Sequence, residues 1–105
     1  MSSVSELSEK EFPKFIKSGS VLVDFYADWC MPCKMMAPVI DELSGDFKGK
    51  IKFGKINIDE NSDVAQKYGI MSIPNFILFR DGKQVHQFIG ATPAEKFREN
   101  LKKFA

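Results

Sequence analysis

Apolar residues follow two rhythms along this chain. "SVLVDFYA", Ser20 to Ala27, is β-branched and aromatic, and apolar on both alternating faces except at Asp24, which predicts a central strand covered on both sides. Asp24 is the anomaly in it. After Pro32 and Cys33 the spacing becomes helical, with Met36, Val39, Ile40, Leu43 and Phe47 on one stripe. Pro38 falls inside that helix and is expected to kink it. "IKFGKINID", Ile51 to Asp59, predicts a second strand, and "ENSDVAQKYG" a short helix capped by Asn61 or Ser62 and stopped by Gly69. Strand, helix, strand implies a parallel pair.

"NFILFRDGKQVHQFIG", Asn75 to Gly90, reads as two strands joined at Asp81-Gly82, where both central positions of a tight turn tolerate positive φ. This half is therefore antiparallel. Thr92-Pro93-Ala94-Glu95 has the spacing of a capping box, opening a helix that buries Ala94, Phe97, Leu101 and Phe104 and ends in Lys102 and Lys103. At the other end, Phe12, Phe15 and Ile16 predict a helix after Ser8, preceded by a short edge strand near Val4. Pro13 leaves the start of that helix open, because beyond the first turn a proline loses a helix hydrogen bond. The order is β-α-β-α-β-α-β-β-α: an α/β fold with one mixed central sheet and helices on both faces.

Composition narrows the class. A chain of 105 residues, 44% hydrophobic and without linker, repeat or low-complexity stretch, predicts one domain, 1–105. Lysine and arginine nearly balance aspartate and glutamate, leaving a formal charge of +1, so a nucleic-acid interface or a polybasic membrane anchor is not expected. The first residues lack the apolar core of a signal peptide, and no run approaches the roughly 18 apolar residues of a membrane span. A soluble protein that is not exported is expected.

The two cysteines of the chain, Cys30 and Cys33, lie in "DWCMPCK". A bridge across so short a loop constrains the unfolded chain little, and reducing compartments seldom keep permanent disulfides. A tetrahedral zinc or iron–sulfur site wants four ligands, whereas the chain adds only His86, on a distant predicted strand. No metal is expected. A reactive dithiol remains: at a strand's carboxyl end and a helix's start, Cys30 meets unpaired N–H groups and the positive dipole end, which favour a thiolate. Cys30 is the expected nucleophile. Cys33, one turn inside and expected to be more buried, is the expected resolving thiol. Pro32, in the first helical turn, stiffens the loop between them. No bound cofactor is needed for this exchange.

The pieces "LVDFYADWCMPCK", "MAPVIDEL", "GKINIDEN", "YGIMSIPNFILFRDG" and "FIGA" together resemble the thioredoxin family, from about Ser8 to the C-terminus. The resemblance implies the thioredoxin fold and a general protein disulfide reductase of the cytoplasm. It would act as a monomer on disulfide-containing proteins and be re-reduced by a thioredoxin reductase. By position, Asp24 matches the family's buried carboxylate, a candidate proton relay for Cys33; a carboxylate merely satisfied by hydrogen bonds or by Lys55 is the alternative. Lys55 matches the lysine that tunes it, and Pro74 a loop proline held cis against the cysteines. Trp29, Ile73, Pro74, Gly90 and Ala91 would form an apolar rim for substrate, with Met31 and Pro32 beside it; ordinary packing is the alternative for Trp29.

Two positions depart from the commonest pattern: Met31 stands where glycine is usual, and Asn75 where threonine is usual. Residues between the cysteines influence the thiolate, so Met31 bears on the reduction potential, and its flexible thioether would enlarge the apolar rim. Proline rather than histidine before Cys33 resembles reductases. The alternatives are a disulfide oxidase or isomerase, a glutaredoxin-like enzyme, and a redox-inactive binding module.

Overall fold

Every residue from Val21 to Phe25 is buried, and the reason is position: their strand, β2 (Ser20–Tyr26), is the middle of five. The computed structural model describes residues 3–105. Along the chain the elements are β1 (Val4–Glu6), α1 (Phe12–Ile16), β2, α2 (Met31–Asp46), β3 (Lys52–Asn57), α3 (Ser62–Lys67), β4 (Asn75–Arg80), β5 (Lys83–Ile89) and α4 (Ala94–Lys102). The strand order is β1-β3-β2-β4-β5. β3 runs parallel to both β1 and β2, while β4 is antiparallel to β2 and β5. The expected element order and mixed sheet are both present.

Alternation along β2 feeds two cores. Leu22 faces Met36, Ile40 and Leu43 of α2 together with Phe97 and Leu101 of α4. Val21, Val23 and Phe25 face Phe12 and Ile16 of α1 and Val64 of α3 on the other side. Phe97 stacks on Phe88 at 4.3 Å and meets Phe76 edge-on at 5.0 Å, arrangements that suit the charge distribution of aromatic rings. A β-carbon built on Gly54, in β3, would stand 2.8 Å from the side chains of Leu7 and Phe15. The glycine lets α1 close onto the sheet.

Helix ends are fixed by contacts of both near and distant origin. Ahead of α1, Ser8 N–H donates to Glu11 Oε1 at 3.0 Å and Glu11 N–H to Ser8 Oγ at 3.3 Å, the reciprocal pair of a capping box. Pro13 lies in the first turn of α1, where its missing donor costs nothing. α2 continues through Pro38 to Asp46. Asn61 is the N-cap residue of α3, but its own side chain makes no capping bond. Glu9 supplies one instead, accepting from the Asp63 N–H at 2.9 Å. Gly69, at φ 63°, follows the end of α3 as expected.

The Thr92 capping box does not form. α4 begins at Ala94 with Pro93 as its N-cap residue, one position later than the sequence suggests. The turn at Gly90, φ 85°, brings that residue's carbonyl within 3.5 Å of the Thr92 hydroxyl, which donates to it. Ala94 and Phe104 are half-buried, whereas Phe97 and Leu101 are buried. Thr92→Ala is expected to cost less than about 0.5 kcal/mol, against about 1 kcal/mol for a true N-cap. Urea denaturation checks this, and a loss above 1 kcal/mol would mean that the hydroxyl does cap the helix.

At the hairpin, Asp81 (φ 51°) and Gly82 (φ 85°) both take positive φ, and Asp81 Oδ1 accepts the Gly19 N–H at 2.8 Å. Among the described residues no helix is long and apolar enough to cross a membrane.

Candidate active site

The chain leaves β2 at Tyr26, makes a short turn and enters α2 at Met31, so Cys30 is the N-cap residue of that helix. Its backbone there is extended, and its sulfur accepts the Cys33 N–H at 3.2 Å. Cys30 and Cys33 are joined as a disulfide with their Cα atoms 5.2 Å apart. The Ile73 carbonyl oxygen lies 3.8 Å from Cys30 Sγ, and the Ile73–Pro74 peptide is cis. Gly90 N–H donates to the Pro74 carbonyl at 2.8 Å, which ties the Gly90 turn to this loop. The cysteines therefore sit between a helix start and two loops.

Beneath them lies Asp24, 6% exposed, whose Oδ1 has no hydrogen-bond partner. A cavity of about 320 Å³ connects the neighbourhood of Asp24 to that of Cys33, with Tyr26, Lys34 and Lys55 in its wall. Burial pushes the Asp24 carboxyl up to about 7; the Lys55 charge opposes this and the Glu6 charge adds to it. Desolvation wins because the ionised form loses water without gaining a hydrogen bond. Such a group exchanges its proton near neutrality, as an acid–base relay requires.

The thioredoxin family model matches residues 3–103. The chain belongs to the thioredoxin family. It is 46% identical over 100 residues to a thioredoxin of Staphylococcus epidermidis, covering 95% of this chain and 96% of that one. A thioredoxin of Staphylococcus aureus is 44% identical over the same length and shares. A chain from a solved structure, titled for the thiol-resolving mechanism of yeast mitochondrial 1-Cys peroxiredoxin via glutathione/thioredoxin systems, superposes with a TM-score of 0.88. That chain is 31% identical, and the match covers 98% of this chain and 99% of it. This thioredoxin-family chain is a thiol–disulfide oxidoreductase that reduces protein disulfides. Disulfide substrates and a reductase partner come with that family.

Several placements differ from the sequence expectations. Cys30 and Cys33 are equally buried, 4% and 5% exposed, because Ile73 packs against the pair together with Ala27. Pro74 is buried and Ile73 half-buried, so these two lie under the rim, while Trp29, Met31, Pro32 and Ala91 are exposed and Gly90 is partly so. Met35 and Met71, 69% and 95% exposed, are further large apolar side chains on the surface. Trp29, 67% exposed, is oriented by a hydrogen bond from Nε1 to Asp59 Oδ2 at 2.8 Å. Neither Asp59 nor Glu6, which accepts from Tyr26 and pairs with Lys55, is marked by any local motif. Their partners are distant in sequence. His86, on β5, packs against the rings of Phe88 and Phe104, and among the described residues no group of three His, Cys, Asp or Glu is arranged to hold a metal.

Proposed function

We propose that in this reductase Cys30 is the attacking thiolate, Cys33 the resolving thiol, Asp24 the base that takes the Cys33 proton, and Lys55 the cation that tunes Asp24. The observation that carries this assignment is the Cys33 N–H donated to Cys30 Sγ at 3.2 Å. In the reduced protein that donor and the positive end of α2 favour charge on Cys30 specifically. Cys33 has Asp24 across the cavity instead.

The thiolate of Cys30 attacks one sulfur of a substrate disulfide. A Cys30–substrate bond forms, and the other substrate sulfur leaves as a thiolate that takes up a proton. Cys33 then gives its proton to Asp24 and attacks Cys30 Sγ, closing the Cys30–Cys33 bond and releasing the second substrate sulfur as a thiolate that takes up a proton. Two electrons pass to the substrate. Substrate is read as lying along Ile73, pairing with its backbone as an added strand, with Trp29, Met31, Pro32, Pro74, Gly90 and Ala91 around it. Backbone pairing makes recognition largely independent of substrate sequence. A thioredoxin reductase restores the dithiol. The setting proposed is the cytoplasm, with residues 1–105 acting as one monomeric domain without metal, cofactor or nucleic acid; the balanced charge supports the last of these.

Cys33→Ser tests the assignment in a lysate of the source cell. Without the resolving thiol, targets accumulate on Cys30 as mixed disulfides that dithiothreitol releases. Equal capture by Cys30→Ser would mean that Cys30 is not the dedicated nucleophile.

A further inference from the structure

Three charged residues lie in a row across three strands. Glu6 of β1 is in register with Lys55 of β3, and Lys55 is in register with Asp24 of β2. Paired residues of parallel strands project from the same face, so Lys55 stands between two carboxylates. Its ion pair goes to Glu6: Nζ lies 3.9 Å from Glu6 Oε1. Glu6 in turn is anchored, because the Tyr26 phenol lies 2.7 Å from its Oε1 and 2.9 Å from its Oε2. Burial first, and then the hydrogen bond to Glu6, push the Tyr26 phenol well above its ordinary range, so it stays a donor at any physiological pH. The Lys55 ammonium lies 5.7 Å from the centre of the same ring.

We propose that Glu6 is a positioning residue of the reductase site: held by Tyr26, it keeps the Lys55 ammonium toward the β1 side of the row and so limits the pull of that charge on Asp24. The groups facing Asp24 leave few others for this task. β4 presents Phe76 in register, and the cavity wall adds Asp28 from the turn and Cys33 and Lys34 from α2. Lys55 is the cation in register with Asp24, and Glu6 is its ion-pair partner. Both side chains of the pair are about half exposed, so its strength is that of a surface pair. A small bias suffices, because a proton relay working near neutral pH responds to fractions of a pH unit. The proposal rests on the reading of Asp24 as the base for Cys33.

The test is a carbon-13 NMR titration of the Asp24 carboxyl in the oxidised protein, for wild type, Glu6→Gln, Lys55→Met and the double variant. Glutamine keeps an oxygen for Tyr26 and removes the charge that holds Lys55. The Asp24 midpoint should fall by roughly half to one pH unit in Glu6→Gln, as the freed ammonium turns toward Asp24. In the Lys55→Met background the same substitution should produce a clearly smaller shift, the direct effect of losing the Glu6 charge alone. An unmoved midpoint in Glu6→Gln overturns the proposal, and so does a shift of undiminished size without Lys55, since Glu6 would then act by its own field alone. If the midpoint moves as stated while the pH profile of insulin reduction stays fixed, Glu6 positions Lys55 and Asp24 is not the base.

Discussion

Cys30→Ser leaves no measurable reduction of insulin disulfides over that of dithiothreitol alone, a loss of at least roughly 10³-fold, the scale seen when a nucleophile is removed. The cause is the charge of the attacking atom. A thiol at the start of α2, with the Cys33 N–H aimed at it, ionises readily, whereas a serine hydroxyl there does not ionise and forms no bond to a disulfide sulfur. Cys33→Ser differs in kind: the first step survives, each molecule attacks once, and turnover stops at the mixed disulfide. Single-turnover measurement therefore separates the pair, with a stoichiometric burst from Cys33→Ser and none from Cys30→Ser. A burst from both variants would mean that the sulfurs are interchangeable and that the helix terminus does not select the nucleophile.

How much of this site could be read from the chain depends on how far apart its partners lie. β2 was legible because its apolar run is continuous, and Asp24 because a carboxylate interrupts it. The hairpin was legible from Asp81-Gly82, since the φ > 0 requirement is local. Cys30 at a helix start follows from the change of apolar period just after it. The capping box at Thr92 misled, because a competing acceptor, the Gly90 carbonyl, comes from a turn whose shape is not written in four residues. The Ser8-x-x-Glu11 box carried an equally plain spacing, which the proline at 13 obscured.

Other contacts had no local signal at all. Glu9 capping α3, Asp59 orienting Trp29 and Glu6 holding Lys55 span 54, 30 and 49 residues of chain, and each needs the strand order before it can be seen. Equal burial of the two cysteines belongs with these, since it depends on where the Ile73 loop packs. Local pattern thus specifies elements and the reactive pair, while the groups that tune the pair arrive through register.

Asp24→Asn stabilises the protein at alkaline pH by an amount on the order of 4 kcal/mol and removes the part of the pH dependence of stability that Asp24 contributes. The sign follows from proton binding. In the fold the Asp24 carboxyl is raised from its ordinary 3.8 to about 7, with burial the leading cause. Between those values the native state holds a proton that the unfolded chain has released. The wild type therefore keeps this contribution in full below about pH 3.8, loses it progressively as pH rises, and has lost it all once pH exceeds about 7. Asparagine has nearly the same shape and does not ionise, so the variant pays no such cost at any pH. Urea denaturation of the oxidised proteins at pH 8.5 and pH 4 measures the difference, which should be large at the first and close to zero at the second. Equal stability at pH 8.5 would mean that Asp24 is not raised and has lost its qualification as a relay. The gain in stability should come with a loss of function, because asparagine accepts no proton from Cys33, and resolution of the mixed disulfide should slow while the first attack is unchanged. A buried carboxylate without a hydrogen bond at Oδ1 is thus a destabilised group, the cost expected of the proton acceptor proposed for Cys33.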